Sequence, residues 1–251
     1  MLDVGIVGMP NAGKSTLFNA LLGRQIAAVA EYPFTTIEPN VGVVEVPDGR
    51  LPRLGEIVGD VKIVPAAIKF IDIAGLVKDA HKGAGLGNQF LAKIRECQAI
   101  LHVVRAFDNP QVAHVMGTID PQRDIEIINE ELRQAGIVKP TFVYFNKEYP
   151  DEHTLDEIIK NCYKLLDLIT MFTVEGGKQV QAWPVKRGTV VKEAVGMIHS
   201  DFKEKFIRAE AIPFEKLATA GSYREAKAKG WVRVEGKDYE VKDGDVVTVK
   251  I

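Results

Sequence analysis

Along the first two thirds of the chain, short apolar runs alternate with amphipathic stretches, the pattern of a parallel sheet covered by helices. The apolar runs predict strands at Val4–Val7, Val41–Val46, Ala67–Ile71, Ile100–Val104 and Thr141–Phe145. Helical spacing predicts Lys14–Leu22, Leu86–Glu96 and Pro121–Gln134, with Asp120 as N-cap of the last and Pro121 at its first position. A connecting helix over Asp156–Leu168 carries Ile158, Ile159, Leu165 and Leu166 at helical spacing.

Beyond that helix the texture changes. Met171–Val174, Gln179–Pro184, Ile207–Ile212, Trp231–Val234, Tyr239–Val241 and Val246–Ile251 read as short strands, punctuated by the turn sequences at 186–189, 236–238 and 242–245. Thr189–Ile198 and Ser222–Lys229 are expected to lie on that sheet as helices. The expected architecture is α/β: a P-loop, G-domain-like parallel sheet over 1–160, then the connecting helix and a small α+β, β-grasp-like module over 161–251. A module of that size is within the range that folds alone.

Composition narrows the function classes. The chain has 251 residues, 46% hydrophobic and 26% charged, the balance of a globular protein. Net charge is −2, divided as −4 up to Leu166 and +2 beyond it, so nucleic-acid binding is not predicted from charge. Cys97 and Cys162 are too few and too far apart for a disulfide framework or a metal-ligand pattern. With no signal-peptide pattern and no apolar run of the roughly 18 residues a span needs, a cytoplasmic protein without a membrane partner is expected.

The chemistry is carried by Gly8-Met9-Pro10-Asn11-Ala12-Gly13-Lys14-Ser15, a G-x-x-x-x-G-K-[ST] run directly after a strand and before a helix. The glycines let backbone N–H groups turn inward around a phosphate, and the helix N-terminus adds favourable partial charge. Asn11, Ala12, Gly13, Lys14, Ser15 and Thr16 are therefore candidate nucleotide contacts. Lys14 supplies charge to the β- and γ-phosphates and Ser15 a Mg²⁺ ligand. Asp72-Ile73-Ala74-Gly75 follows a strand as a second Mg²⁺-side motif, with Asp72 holding the metal through water and the Gly75 N–H on the γ-phosphate. Tyr32-Pro33-Phe34-Thr35-Thr36 sits where switch loops place a metal-binding Thr, and both threonines qualify. In the second half no catalytic constellation emerges: His199, Asp201, Lys203 and Lys205 read as a solvated polar face, and Trp183 and Trp231 as packing anchors.

The runs Gly8–Thr16, Tyr32–Asn40, Phe70–Leu91, His199–Ile212 and Glu235–Val246 resemble the YchF-type branch of the Obg-related P-loop proteins. The resemblance spans both ends of the chain, and it implies a TGS module over Leu168–Ile251 with ribosome or RNA contacts. It matches Thr36 to the switch threonine. Leu76 stands where Ras-like enzymes place the glutamine that orients water, which implies slow intrinsic hydrolysis and another water-positioning group, with His81 and His114 as candidates. Asn11 occupies a position that can hold K⁺ in related hydrolases. Asn146-Lys147-Glu148-Tyr149 takes the place of the base-reading motif: Lys147 is GTPase-like, Glu148 sits one position early, and no Asp stands at Tyr149 to read guanine. ATP is the expected nucleotide, with an Obg-type GTPase as the alternative within the class. A binding module with little turnover is the alternative outside it. The resemblance also implies a helical insertion near 134–139 and further elements after Tyr149. Their absence at two separate places suggests that stretches of a longer chain, including part of the base pocket, are left out.

Overall fold

The computed structural model describes residues 2–23, 40–59, 61–73, 86–147 and 149–251, apart from the side chains of 86–89 and 175. In chain order the elements begin β1 (Asp3–Val7), α1 (Lys14–Leu22) and β2 (Val41–Glu45). The chain then forms α2 (Arg50–Val58) and β3 (Lys62–Val64) before returning to alternation: β4 (Ala67–Asp72), α3 (Leu86–Glu96), β5 (Ala99–Arg105), α4 (Pro121–Gln134), β6 (Thr141–Asn146) and α5 (Glu152–Leu165). There follow β7 (Leu168–Glu175), β8 (Gln179–Lys186), α6 (Val191–Gly196), α7 (Ser200–Glu204), β9 (Arg208–Pro213), α8 (Phe214–Ala220), α9 (Tyr223–Ala228), β10 (Arg233–Glu235) and β11 (Asp245–Lys250).

The first unit comprises residues 1–46 and 68–166. Its sheet has the order β2-β4-β1-β5-β6, and β1 pairs in parallel with β4 and β5, as β5 does with β6. All seven residues of β5 are buried, as expected for a strand covered on both faces. Ile94 of α3 and Ile128 and Leu132 of α4 pack on Val7, Met9, Ile73 and Ile100, which holds the strand ends around the P-loop in place. Helix α4 starts where the sequence places it: the Asp120 carboxylate accepts from the Arg123 N–H at 3.1 Å, with Pro121 next. It ends in a complete Schellman motif. Gly136 is left-handed (φ 65°), its N–H meets Arg133 O and the Ile137 N–H meets Leu132 O, while Ile137 is buried beside Leu132.

The second unit takes residues 47–67 as well as 167–251, a division different from the expected boundary at 160. Helix α5 belongs whole to the first unit, and it starts earlier than the periodicity indicates because Asp151 caps it, accepting from the Thr154 N–H at 2.8 Å. Asp167, at φ 54°, ends that run. The second sheet has the order β10-β9-β11-β7-β8-β3, with β7 and β8 antiparallel and β11 parallel to β7, a β-grasp-like arrangement. The pair α2 and β3 went unread in the sequence because Pro52 and Gly55 interrupt the pattern. Pro52 is tolerated near the helix start, and Gly55 leaves room for Ile63, whose Cγ2 would lie 2.9 Å from an added Cβ. Arg50 ties this excursion down by pairing with Asp48 and Asp243 and lying 5.2 Å over the Phe172 ring. The expected strand at 239–241 is reduced to a single bridge between Val190 and Glu240. Trp183 packs on the core of this unit and donates to the Thr173 hydroxyl at 2.9 Å.

Candidate nucleotide and metal site

Strand β1, central in its sheet, delivers the P-loop at its carboxyl end, and the backbone there depends on particular glycines. Gly8 has φ 155°, and a Cβ on it would lie 2.2 Å from the Val103 carbonyl oxygen. Gly13 has φ 87° and caps α1, and a Cβ there would meet the Asn146 amide nitrogen at 2.2 Å. No side chain caps α1 and no acidic residue stands in its first turn. Its first N–H groups therefore remain for an outside acceptor, and a phosphate is the acceptor that the helix dipole favours.

Lys14 and Ser15 open that helix. Lys14 is buried, and its Nζ donates to the Met9 carbonyl at 2.9 Å. Burial pushes its pKa down to about 8, against the attraction of Asp72. The folded state thus releases this proton near pH 8 while the unfolded chain keeps it to about 10.5. Between those values the unfolded state binds more protons, so stability of the nucleotide-free protein is expected to rise with pH. Urea midpoints at pH 7.5 and 10 check this: the rise should vanish in Lys14→Met, and an equal rise in that variant would assign it to another group.

The Ser15 hydroxyl donates to Asp72 Oδ2 at 2.7 Å, which joins the P-loop to the second motif. The other oxygen, Asp72 Oδ1, is buried with no hydrogen-bond partner among the described residues. A hydroxyl, a carboxylate with an unsatisfied oxygen, and neighbouring phosphate positions form the hard-oxygen set that suits Mg²⁺. Among the described residues no group of three or more His, Cys, Asp or Glu could hold a metal.

Asn146 ends β6 with its amide nitrogen donating to the Ala12 carbonyl at 2.9 Å, so it braces the P-loop as well as facing the cleft. Its Oδ1 is buried and unpartnered among the described residues. The cleft has a volume of about 300 Å³, and Asn11, Gly13–Thr16 and Asn146 line it together with Phe107, Asn109, Val112 and Tyr149. Phe107, Asn109 and Val112 were missed in the sequence, where no local motif marks them, and only the fold brings the segment after β5 to the cleft; Tyr149 ends the run expected to read the base. Asn11, at φ 62°, ties its amide nitrogen to the Ala113 carbonyl at 3.0 Å.

His114 is placed differently from its expected role. Its Nδ1 accepts from the Met116 N–H at 3.1 Å, so Nε2 carries the proton and donates to Asp124 Oδ2 at 2.8 Å. Both ring nitrogens are committed, and no nitrogen is left for a water in this arrangement. Asp124 also accepts from Arg123, whose other donors reach Thr118, so His114 locks its loop onto α4. Thr35, Thr36, Gly75, Leu76, His81 and Glu148 lie outside the described residues. Lys147 is described and follows β6 directly. Another histidine, His102 on β5, is buried with both nitrogens unpartnered among the described residues. Burial holds its pKa down at about 4, with Asp124 pulling up and Lys14 pushing down. Cys97 and Cys162 are free and buried, and burial raises their thiols to about 11 and about 12, which makes them unreactive. His199 accepts from the Asp201 N–H and Lys205 pairs with Asp201, the local contacts of an exposed turn.

Comparison with known proteins gives this geometry its family. A family described as "50S ribosome-binding GTPase" matches residues 3–147, and the YchF-type GTPase C-terminal family, described as a protein of unknown function (DUF933), matches residues 168–251. The chain is 36% identical over 360 aligned positions to the ribosome-binding ATPase YchF of Bacillus subtilis, covering 98% of each. It is 37% identical over 354 positions to the protein of that name from Escherichia coli O157:H7, covering 97% of each. These alignments are longer than the 251-residue chain, so the relatives carry positions without a counterpart here. The solved structure of the Schizosaccharomyces pombe YchF GTPase superposes with a TM-score of 0.80 at 27% identity, covering 99% of this chain and 97% of that one. With its P-loop, its partnered Ser15 and Asp72, and its β-grasp-like second unit, the chain belongs to the YchF family of P-loop nucleoside triphosphatases.

Proposed function

We propose that this protein hydrolyses ATP with Mg²⁺ and acts as a nucleotide-dependent switch on the ribosome, and the contact between Ser15 and Asp72 is the observation that carries the reading. Mg²⁺ would supply Lewis-acid neutralisation of the triphosphate when bound, with Ser15 as a protein ligand, Asp72 holding it through water and Thr36 as the switch ligand. Lys14 neutralises the β- and γ-phosphates, the N–H groups at the start of α1 hold them, and Gly75 reports the γ-phosphate. Catalysis of this kind works by positioning and charge. With Leu76 in place of a water-orienting residue, turnover alone is slow and a partner accelerates it. The ribosome as that partner is supported by the names of the bacterial relatives, and the TGS-like second unit, through ribosomal RNA or the large subunit, is the proposed contact. Asn11 would hold K⁺ through its amide oxygen, its nitrogen being engaged.

Adenine is favoured because no Asp stands at position 149 to accept from guanine. Lys147 and the GTPase described from S. pombe favour guanine. Parallel titration with fluorescent ATP and GTP analogues decides between them, with tighter ATP binding expected; tighter GTP binding would reject the adenine assignment. In the same assay Asp72→Asn should weaken apparent Mg²⁺ affinity by about 10–100-fold. An unchanged Mg²⁺ midpoint would remove Asp72 from the metal shell.

A further inference from the structure

In the second unit β9 and β11 pair antiparallel, with Arg208 directly opposite Lys250 and Glu210 directly opposite Thr248. Residues two apart on a strand share a sheet face, as do directly opposed residues, so these four side chains stand together. Like charges directly opposed across a ladder are destabilising, and an opposed Arg and Lys therefore call for an explanation. Within the chain they are poorly compensated. Arg208 is exposed and pairs with no carboxylate among the described residues. Lys250 reaches Glu210 only at 3.9 Å, and that carboxylate already accepts from the Tyr223 hydroxyl at 2.7 Å and from Lys227 at 3.2 Å. Three cations thus share one carboxylate, and Val234, next to Glu210 on β10, is exposed and leaves the face open. Just past α9, Lys229 adds its charge 4.8 Å from the centre of the half-buried Trp231 ring.

We infer that this face binds the phosphate backbone of RNA, with Arg208, Lys227 and Lys250 as its phosphate contacts. The inference rests on the ribosome reading above and gives that reading a surface. Exposed cations held in place by a rigid ladder, with too little carboxylate to neutralise them, are the groups that displace counterions from a phosphate backbone. Arg208 keeps its whole fork for a phosphate, which a guanidinium can grip through two parallel N–H donors. Charge counted along the sequence did not predict such a surface, because the excess is local: only folding brings residues 208, 227 and 250 together from three elements. Contacts of this kind position a partner without reading its bases, so the binding tolerates changes of RNA sequence.

The test uses the full chain with ADP and Mg²⁺ held constant, a fluorescein-labelled RNA hairpin without a terminal phosphate read by anisotropy, and ribosomes read by co-sedimentation. The wild type should bind the hairpin with an affinity that falls as salt rises. Arg208→Gln combined with Lys250→Gln should weaken it at least about tenfold and flatten the slope of log affinity against log salt by about 1–2. Lys186→Gln combined with Arg187→Gln, at the end of β8, removes the same charge elsewhere on the unit and should leave both nearly unchanged. Because opposed cations are being removed, the urea midpoint of the first pair should hold or rise. If that pair does not fold, lysine acetylation of the wild type decides: the hairpin should shield Lys227 and Lys250 but not Lys186. The inference is overturned if the hairpin does not bind, if the two double variants lose affinity equally, or if RNA leaves Lys227 and Lys250 as reactive as before. Hairpin binding without ribosome binding would keep this face and reject the ribosome reading. Ribosome binding without hairpin binding would do the reverse and point to an acidic protein surface.

Discussion

Lys14→Met is expected to lower the rate constant for nucleotide hydrolysis by about 10²–10³-fold, the usual effect of removing one preorganised donor to developing negative charge. The argument rests on what the lysine does without nucleotide. It is held under the P-loop by the Met9 carbonyl, in a setting that disfavours its charge enough to bring its pKa to about 8. That arrangement does not stabilise the fold at neutral pH; it stores an unfavourable burial that a triphosphate relieves. Methionine keeps the packing of the stem and removes the charge. Unfolding free energy at pH 7 should therefore hold or rise while turnover collapses. Steady-state hydrolysis and urea denaturation on the same preparation read both quantities. A loss of stability that parallels the loss of rate would mean that Lys14 is a structural strut and that the P-loop deforms without it.

Gly8→Ala is expected to destabilise the first unit by about 3 kcal/mol or more, whereas Gly13→Ala should be partly rescuable. The difference lies in what each Cβ would strike. At Gly8 the obstacle is the backbone oxygen of Val103, in a strand whose every residue is buried, so neither side can yield. At Gly13 it is the Asn146 side chain, which can be shortened. Asn146→Ala in the Gly13→Ala background removes the clash but not the strain of a left-handed alanine, and a coupling of about 1 kcal/mol is expected. A double-mutant cycle by urea denaturation measures it. Additive effects would show that Asn146 and the P-loop are independent, contrary to the hydrogen bond between Asn146 and Ala12.

Much of the site was legible because its parts are local. A strand, a glycine-framed turn and a helix follow one another within 22 residues, and the phosphate cradle is a property of that backbone alone. Ser15 and Asp72 were each expected on the Mg²⁺ side, since each motif announces itself after a strand, but their direct hydrogen bond across 57 positions comes from the fold. His114 shows the limit. Its place in the sequence suggests a catalytic ring, but which nitrogen carries the proton depends on Asp124 and on the Met116 N–H, and those meet only when the loop folds onto α4.

The sequence by itself determined the alternation of strands and helices, the α4 boundaries with their Asp120 cap, the P-loop and the change of texture after α5, because each rests on periodicity, capping or turn chemistry within a few residues. Only the tertiary structure decided that residues 47–67 join the second unit, that Phe107 reaches the nucleotide cleft, and that Arg105 lies buried. These are long-range outcomes: strand order and burial are settled by which faces must leave water together, and no local window of residues contains that information.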